Sequence, residues 1–162
     1  MKSKVFLITG MIASFVIASA LNVYPLTPMF ASIRPMFLVM VLIFWVIYRS
    51  TLLSVWAVFL VGLVSDLLFG THLGHQAFCA TLMAFILRAM LIYAKELTLV
   101  QAWIIAVVGL LVYQGTLWFL QALAHHNFLW TGMGSLISSM ALFPLLWVPL
   151  YWINSQVKER AY

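Results

Sequence analysis

Charge is what this chain lacks. Lys, Arg, Asp and Glu together make up 7% of its 162 residues, and only three residues are acidic. A soluble domain carries about 25% charged residues. With 66% hydrophobic residues and a mean hydropathy of +1.14, nothing is left to coat a water-facing surface. The surface therefore faces lipid. Cysteine is nearly absent as well: the single Cys79 excludes an internal disulfide and reads as a small buried hydrophobe. No polar stretch is long enough for a soluble domain or a flexible linker, and there is no internal repeat, low-complexity tract or heptad seam. A nucleotide-binding glycine signature is missing. The net charge of +5 is scattered one or two residues at a time, which points to membrane topology rather than to nucleic acid.

What is present is a series of long apolar runs. A membrane-spanning helix needs about 20 apolar residues, with about 17 to 25 allowed. The runs at 5–24, 35–48, 52–69, 76–94, 100–124 and 135–153 predict six spans in one integral membrane domain, residues 1–162. The breaks between them are turn-like: 25–28, 49–51, 70–74, 95–96 and 125–134. Lys2, Lys4 and the Ala18-Ser19-Ala20 triplet imitate a signal peptide, but everything downstream is also apolar, so 5–24 reads as an uncleaved first helix. With both termini in the cytoplasm, Lys2, Lys4, Arg49, Arg88, Lys95, Lys158 and Arg160 fall inside and only Arg34 outside. That is the expected asymmetry of cytoplasmic loops. His72, His75, His125 and His126 then lie on the outer side.

Residues 62–74, GLVSDLLFGTHLG, hold the one carboxylate embedded in an apolar run, Asp66. An unpaired Asp at a helix centre costs about 2.5–3.5 kcal/mol on insertion scales. Arg34 lies sixteen residues before Ser50 and Asp66 sixteen after it. At 1.5 Å per residue both sit about 24 Å from the turn and share a depth. An Arg34–Asp66 ion pair bracing the outer ends of the second and third helices is the expectation, with Pro35 at the first helical position. Gly62 and Asp66 share a helical face where a neighbouring backbone can approach closely, and Gly70 and Gly74 end the helix and shape the outer turn.

The stretches IRPMFLVMVLIFWVIYRS (33–50) and VGLVSDLLFGTHLGHQAF (61–78) resemble the bacterial rod-shape-determining MreD family. The likeness lies in an Arg-Pro opening of a short apolar helix, then a G-x-x-x-D-L-x-x-G-x-x-L-G motif. Here those positions are Arg34, Pro35, Gly62, Asp66, Leu67, Gly70, Leu73 and Gly74. The resemblance implies a multi-pass inner-membrane component of the cell-elongation machinery for peptidoglycan synthesis. Its partners would be the single-span scaffold MreC, with MreB, RodA and the elongation transpeptidase in the same assembly. It also implies a fold similar to the substrate-binding components of ECF vitamin transporters.

Other features narrow the chemistry. Gly10, Ser14, Ala18 and Asn22 form a four-spaced strip of small residues on the first helix, where a partner helix could lie. Gln114 and Gln121 share one face of the fifth helix. Ser135 and Ser139 precede Pro144 and Pro149 on the sixth, where carbonyls freed by proline need local partners. Arg88 leans toward the membrane centre and invites a lipid head group or a partner contact. Four outer histidines without a companion cysteine or spare carboxylate are a weak metal signal. No Ser–Lys, Asp–Asp or metal constellation lies within the spans, and no cofactor is implied. The chain therefore reads as a non-enzymatic adaptor that binds partner helices and membrane lipids. The alternative is a solute-binding component of an ECF-type transporter, which would need an outer-facing pocket with convergent polar groups.

Overall fold

The computed structural model describes residues 2–23, 33–94, 98–125 and 132–159, with side chains at 5–23, 33–94, 98–123 and 132–155. The regular structure among them is helical. Six helices follow in order: α1 Lys2–Val23, α2 Phe37–Tyr48, α3 Val55–Phe69, α4 His75–Tyr93, α5 Leu99–His125 and α6 Met133–Glu159. All six expected segments are there, with ends shifted by a few residues. Lys95, His126 and Arg160 lie outside the described residues.

Four helices are long and apolar enough to cross a membrane, with mean hydropathies of 1.6 to 2.0. α2 and α3 are shorter, at 12 and 15 residues. Twelve residues rise only about 18 Å against a hydrocarbon core of about 30 Å. Burial offsets the short length of α2. Every residue from Leu38 to Ile47 is buried, and Phe44 and Trp45 are 0% exposed. A helix apolar on all sides belongs in the middle of a bundle. α2 occupies that place, packed against α1, α4, α5 and α6.

α3 stands elsewhere. It packs chiefly on α4 and touches α1, but it does not lie along α2, the helix it follows in sequence. The turn at 49–54 lets it swing out, and α4 comes between the two. Ser54 starts α3 by accepting from the Ala57 amide at 3.3 Å, and Gly70 ends it with φ +62. Small residues set the closest approach in the bundle. A Cβ on Gly62 would lie 2.3 Å from the Ala77 Cα and 2.9 Å from its nitrogen. Only glycine allows α3 and α4 to come this near.

α1 and α6 run antiparallel. Gly10, early in α1, meets Ile153, late in α6. At the other end, Ser135 of α6 donates to the Arg34 carbonyl, close to the end of α1. Both termini therefore leave from the same end of the bundle. That end carries an aromatic cluster, as an interfacial belt requires. Trp147 stacks on Tyr151 at 4.5 Å and donates its indole N–H to the Tyr48 hydroxyl at 2.8 Å. Arg49 Nε donates to Asn154 Oδ1 at 2.9 Å beside it.

Pro144 and Pro149 both lie inside α6. Pro144 has no N–H to give the Met140 carbonyl four residues back. Trp103 of α5 supplies the replacement, its Nε1 donating to that carbonyl at 3.3 Å.

Candidate functional site

The end of the bundle away from the termini is stitched together by two polar knots. The first is built on Arg34-Pro35-Met36. These residues are not helical, so Pro35 precedes the helix instead of opening it, and Met36 is the N-cap of α2. Pro35 still serves the start of α2, because its carbonyl accepts from the Phe37 amide at 3.0 Å. The amides that α2 leaves exposed find partners on other helices. Ser139 Oγ of α6 accepts from the Met36 amide at 2.8 Å, and Asn22 Oδ1 of α1 accepts from the Phe37 amide at 3.3 Å. Arg34 Nη1 donates to the Asn22 carbonyl, in the last turn of α1. A cation there meets the negative end of the helix dipole.

The second knot is Asp66, which is 1% exposed. Its Oδ1 accepts from Thr71 Oγ1 at 2.8 Å and from the Gln76 amide at 2.9 Å. Its Oδ2 accepts from the Gly74 amide at 2.8 Å and the Ala77 amide at 3.4 Å. Gln76 and Ala77 occupy the second and third positions of α4, whose amides an N-cap side chain ordinarily satisfies. The N-cap residue here is Gly74, with φ +92 and no side chain. The carboxylate from α3 takes over that duty, at the helix end where the dipole favours negative charge. The whole G-x-x-x-D-x-x-x-G-x-x-x-G pattern thus makes one helix–turn–helix lock. Gly62 allows the close approach, Asp66 caps the next helix, and Gly70 and Gly74 turn the chain between them.

The expected Arg34–Asp66 ion pair is corrected by this arrangement. Among the described residues no such pair forms, since the two groups take different partners. Both groups lie toward one end of the bundle, where a cavity of about 180 Å³ is lined by Asn22, Arg34, Tyr113 and Ser135 and by Phe69 and Gln76 from the elements around Asp66. They do not share a face, because α4 packs against both α2 and α3, which do not lie along each other. Each charge is stabilised by a helix end instead of by the other. Tyr113, whose hydroxyl lies 3.4 Å from Gln76 Oε1, continues the second knot toward α5.

The small-residue strip of α1 turns inward. Ser14, Ala18 and Asn22 are buried and Gly10 is half-buried. Ser14 Oγ accepts from Trp45 Nε1 of α2 at 3.0 Å and donates to the Met11 carbonyl at 2.7 Å. Gly10, Ser14 and Ala18 nonetheless line the floor of an apolar groove of about 210 Å³ between α1 and α6, whose walls include Ile17, Pro149 and Ile153. The bulky residues of α1, among them Val5, Ile12 and Val16, point outward.

Gln114 of α5 is 3% exposed and stands against Gly132, where a Cβ would lie 2.8 Å from its Nε2. That contact joins α5 to the start of α6. Gln121, His72 and His75 line a second cavity of about 370 Å³ at this end of the bundle, and the two imidazole rings are 6.5 Å apart. Among the described residues, no group of three His, Cys, Asp or Glu side chains assembles to hold a metal. Sequence reasoning left Asn22 in the packing strip and missed Ser139 and Trp103 as partners of α2 and α6. Their signal was present: each is a polar side chain in an apolar helix, and such a group needs a partner.

A family model described as rod shape-determining protein MreD matches residues 3–155, which takes in nearly all of the six helices. The chain belongs to the MreD family. It is 26% identical over 145 residues to the rod shape-determining protein MreD of Haemophilus influenzae, an alignment covering 89% of this chain and 90% of that one. No solved structure matches. MreD membership ties the apolar bundle to determination of rod shape in a membrane, and both motif stretches described above fall inside the matched range.

Proposed function

We propose that this MreD-family chain is a non-enzymatic adaptor of the bacterial inner membrane. It holds a single-span scaffold of the MreC type for the cell-elongation machinery that includes MreB, RodA and the elongation transpeptidase. The family match over 3–155 carries this reading. All six helices cross the bilayer in it, with both termini cytoplasmic. The shared end of the two termini and the excess of Lys and Arg at that end support the orientation. The reading carries with it a fold like that of ECF substrate-binding components.

The partner helix sits in the α1–α6 groove. Two features support this position. The floor is made of small residues, which let a second backbone come close in lipid, where packing rather than hydrophobicity drives association. The rim is apolar, with Ile17 60% exposed. The polar knot built on Arg34-Pro35-Met36 at the far end keeps α1, α2 and α6 in register, so the groove is preformed and a partner loses little freedom on entering it.

The test is site-specific photo-crosslinking in cells that co-express the MreC-type scaffold. A photoreactive residue at Ile17 captures the scaffold, whereas one at Phe119, exposed on α5, does not. Capture from Phe119 but not from Ile17 would overturn the groove assignment. Failure of the chain to restore rod shape to cells lacking their own MreD would overturn the adaptor role itself.

A further inference from the structure

At the opposite end of the bundle, Arg88 of α4 reaches the turn that joins α2 to α3. Its Nη2 donates to the carbonyls of Ser50, at 3.3 Å, and Leu53. Both acceptors are neutral. Among the described residues no carboxylate comes within ion-pair distance of this guanidinium, and its Nε is buried with no acceptor. Beside it lies a cavity of about 380 Å³, lined by Ser50, Thr51, Arg88, Leu91 and Ile92. A cation and two hydroxyl-bearing residues make up one part of the lining, and two aliphatic side chains the other.

The position of this cavity bears on what fills it. Arg88 stands five residues before the end of α4, about 7.5 Å along its axis. Ile92, which lines the cavity, is 82% exposed. With α4 crossing a bilayer, an apolar exposed residue this close to the helix end sits near the level where head groups meet acyl chains. Arg49 adds positive charge at the same turn.

We propose that this cavity binds the phosphate of an anionic phospholipid from the leaflet on the termini side. The guanidinium gives charge-assisted hydrogen bonds to the phosphate oxygens, as arginine does with phosphate generally. The hydroxyls of Ser50 and Thr51 donate to the remaining oxygens. Leu91 and Ile92 lie against the first methylenes of the acyl chains. A bound lipid would clamp the 49–54 turn against α4 and so fix where α3 leaves the core. The site is separate from the α1–α6 groove and does not depend on the partner assigned there.

The experiment uses the full chain in detergent, with lipid adducts counted by native mass spectrometry. Phosphatidylglycerol is compared with zwitterionic phosphatidylcholine, and inorganic phosphate is added in large excess as a competitor. The expected result is a phosphatidylglycerol preference of about fivefold, the worth of one basic residue near a membrane surface. Arg88→Gln abolishes it and Arg88→Lys keeps most of it. Because Arg88→Gln also releases two carbonyls and can unfold the turn, Ile92→Trp provides a second variant. It fills the mouth from an exposed position and leaves the Arg88 bonds intact, so it removes the preference without lowering thermal stability. Equal binding of both lipids in the unaltered chain would overturn the proposal. So would a preference that survives Arg88→Gln or Ile92→Trp. Full displacement by inorganic phosphate would assign the site to a soluble anion instead and overturn the lipid.

Discussion

The Asp66 carboxylate caps a helix to which it does not belong: its Oδ2 accepts from the amide of Gly74, eight residues on, at 2.8 Å. Gly74 turns the chain with a positive φ and brings no side chain to the start of α4. In lipid there is no water to satisfy the free amides of that first turn. Asp66→Ala therefore leaves the amides of Gly74, Gln76 and Ala77 without their acceptor. Hydrogen bonds to charged groups contribute about 1.5–3 kcal/mol each. The variant should lose several degrees of apparent melting temperature in detergent, measured by size-exclusion chromatography after heating. A swap of Arg34→Asp with Asp66→Arg should rescue neither single change, since each charge is matched to a helix end of fixed sign.

Gly62 makes a sharper test of packing. Gly62→Ala drives a methyl group into the backbone of Ala77, at 2.3 Å from its Cα. Overpacking of this kind costs about 1–3 kcal/mol. Because the clash is with main-chain atoms, Ala77→Gly should not relieve it. Thermal stability of the two singles and the double variant decides the point.

Gly70 behaves differently. A Cβ there meets nothing within 4 Å, so only its φ of +62 resists substitution. Gly70→Ala should cost about 1–2 kcal/mol from the left-handed backbone alone. Gly70→Asn should recover part of that, because Asn visits this region more readily. The comparison of the two melting temperatures separates a backbone effect from a packing effect.

Trp103 and Pro144 should be coupled. Trp103→Phe removes the donor to the Met140 carbonyl. An acceptor left unsatisfied costs about 1–3 kcal/mol. Pro144→Ala restores the helix's own N–H to that carbonyl. In the Trp103→Phe background, Pro144→Ala should therefore stabilise the chain more than it does in the unaltered protein. A double-mutant cycle on thermal stability measures the difference.

The sequence by itself determined the apolar character of the chain and its six helices. Hydropathy and the bilayer thickness fix roughly where an apolar run must begin and end. The glycine spacing around Asp66 was legible for the same local reason, since turns and close approaches are made by neighbouring residues. Tertiary structure alone decided which way each side chain faces. α2 is buried on all sides and α3 packs on α4 instead of along α2, so the two charges end on different partners. Rotation about a helix axis depends on which helices pack together, and an almost uniformly apolar sequence carries little amphipathic signal to announce it.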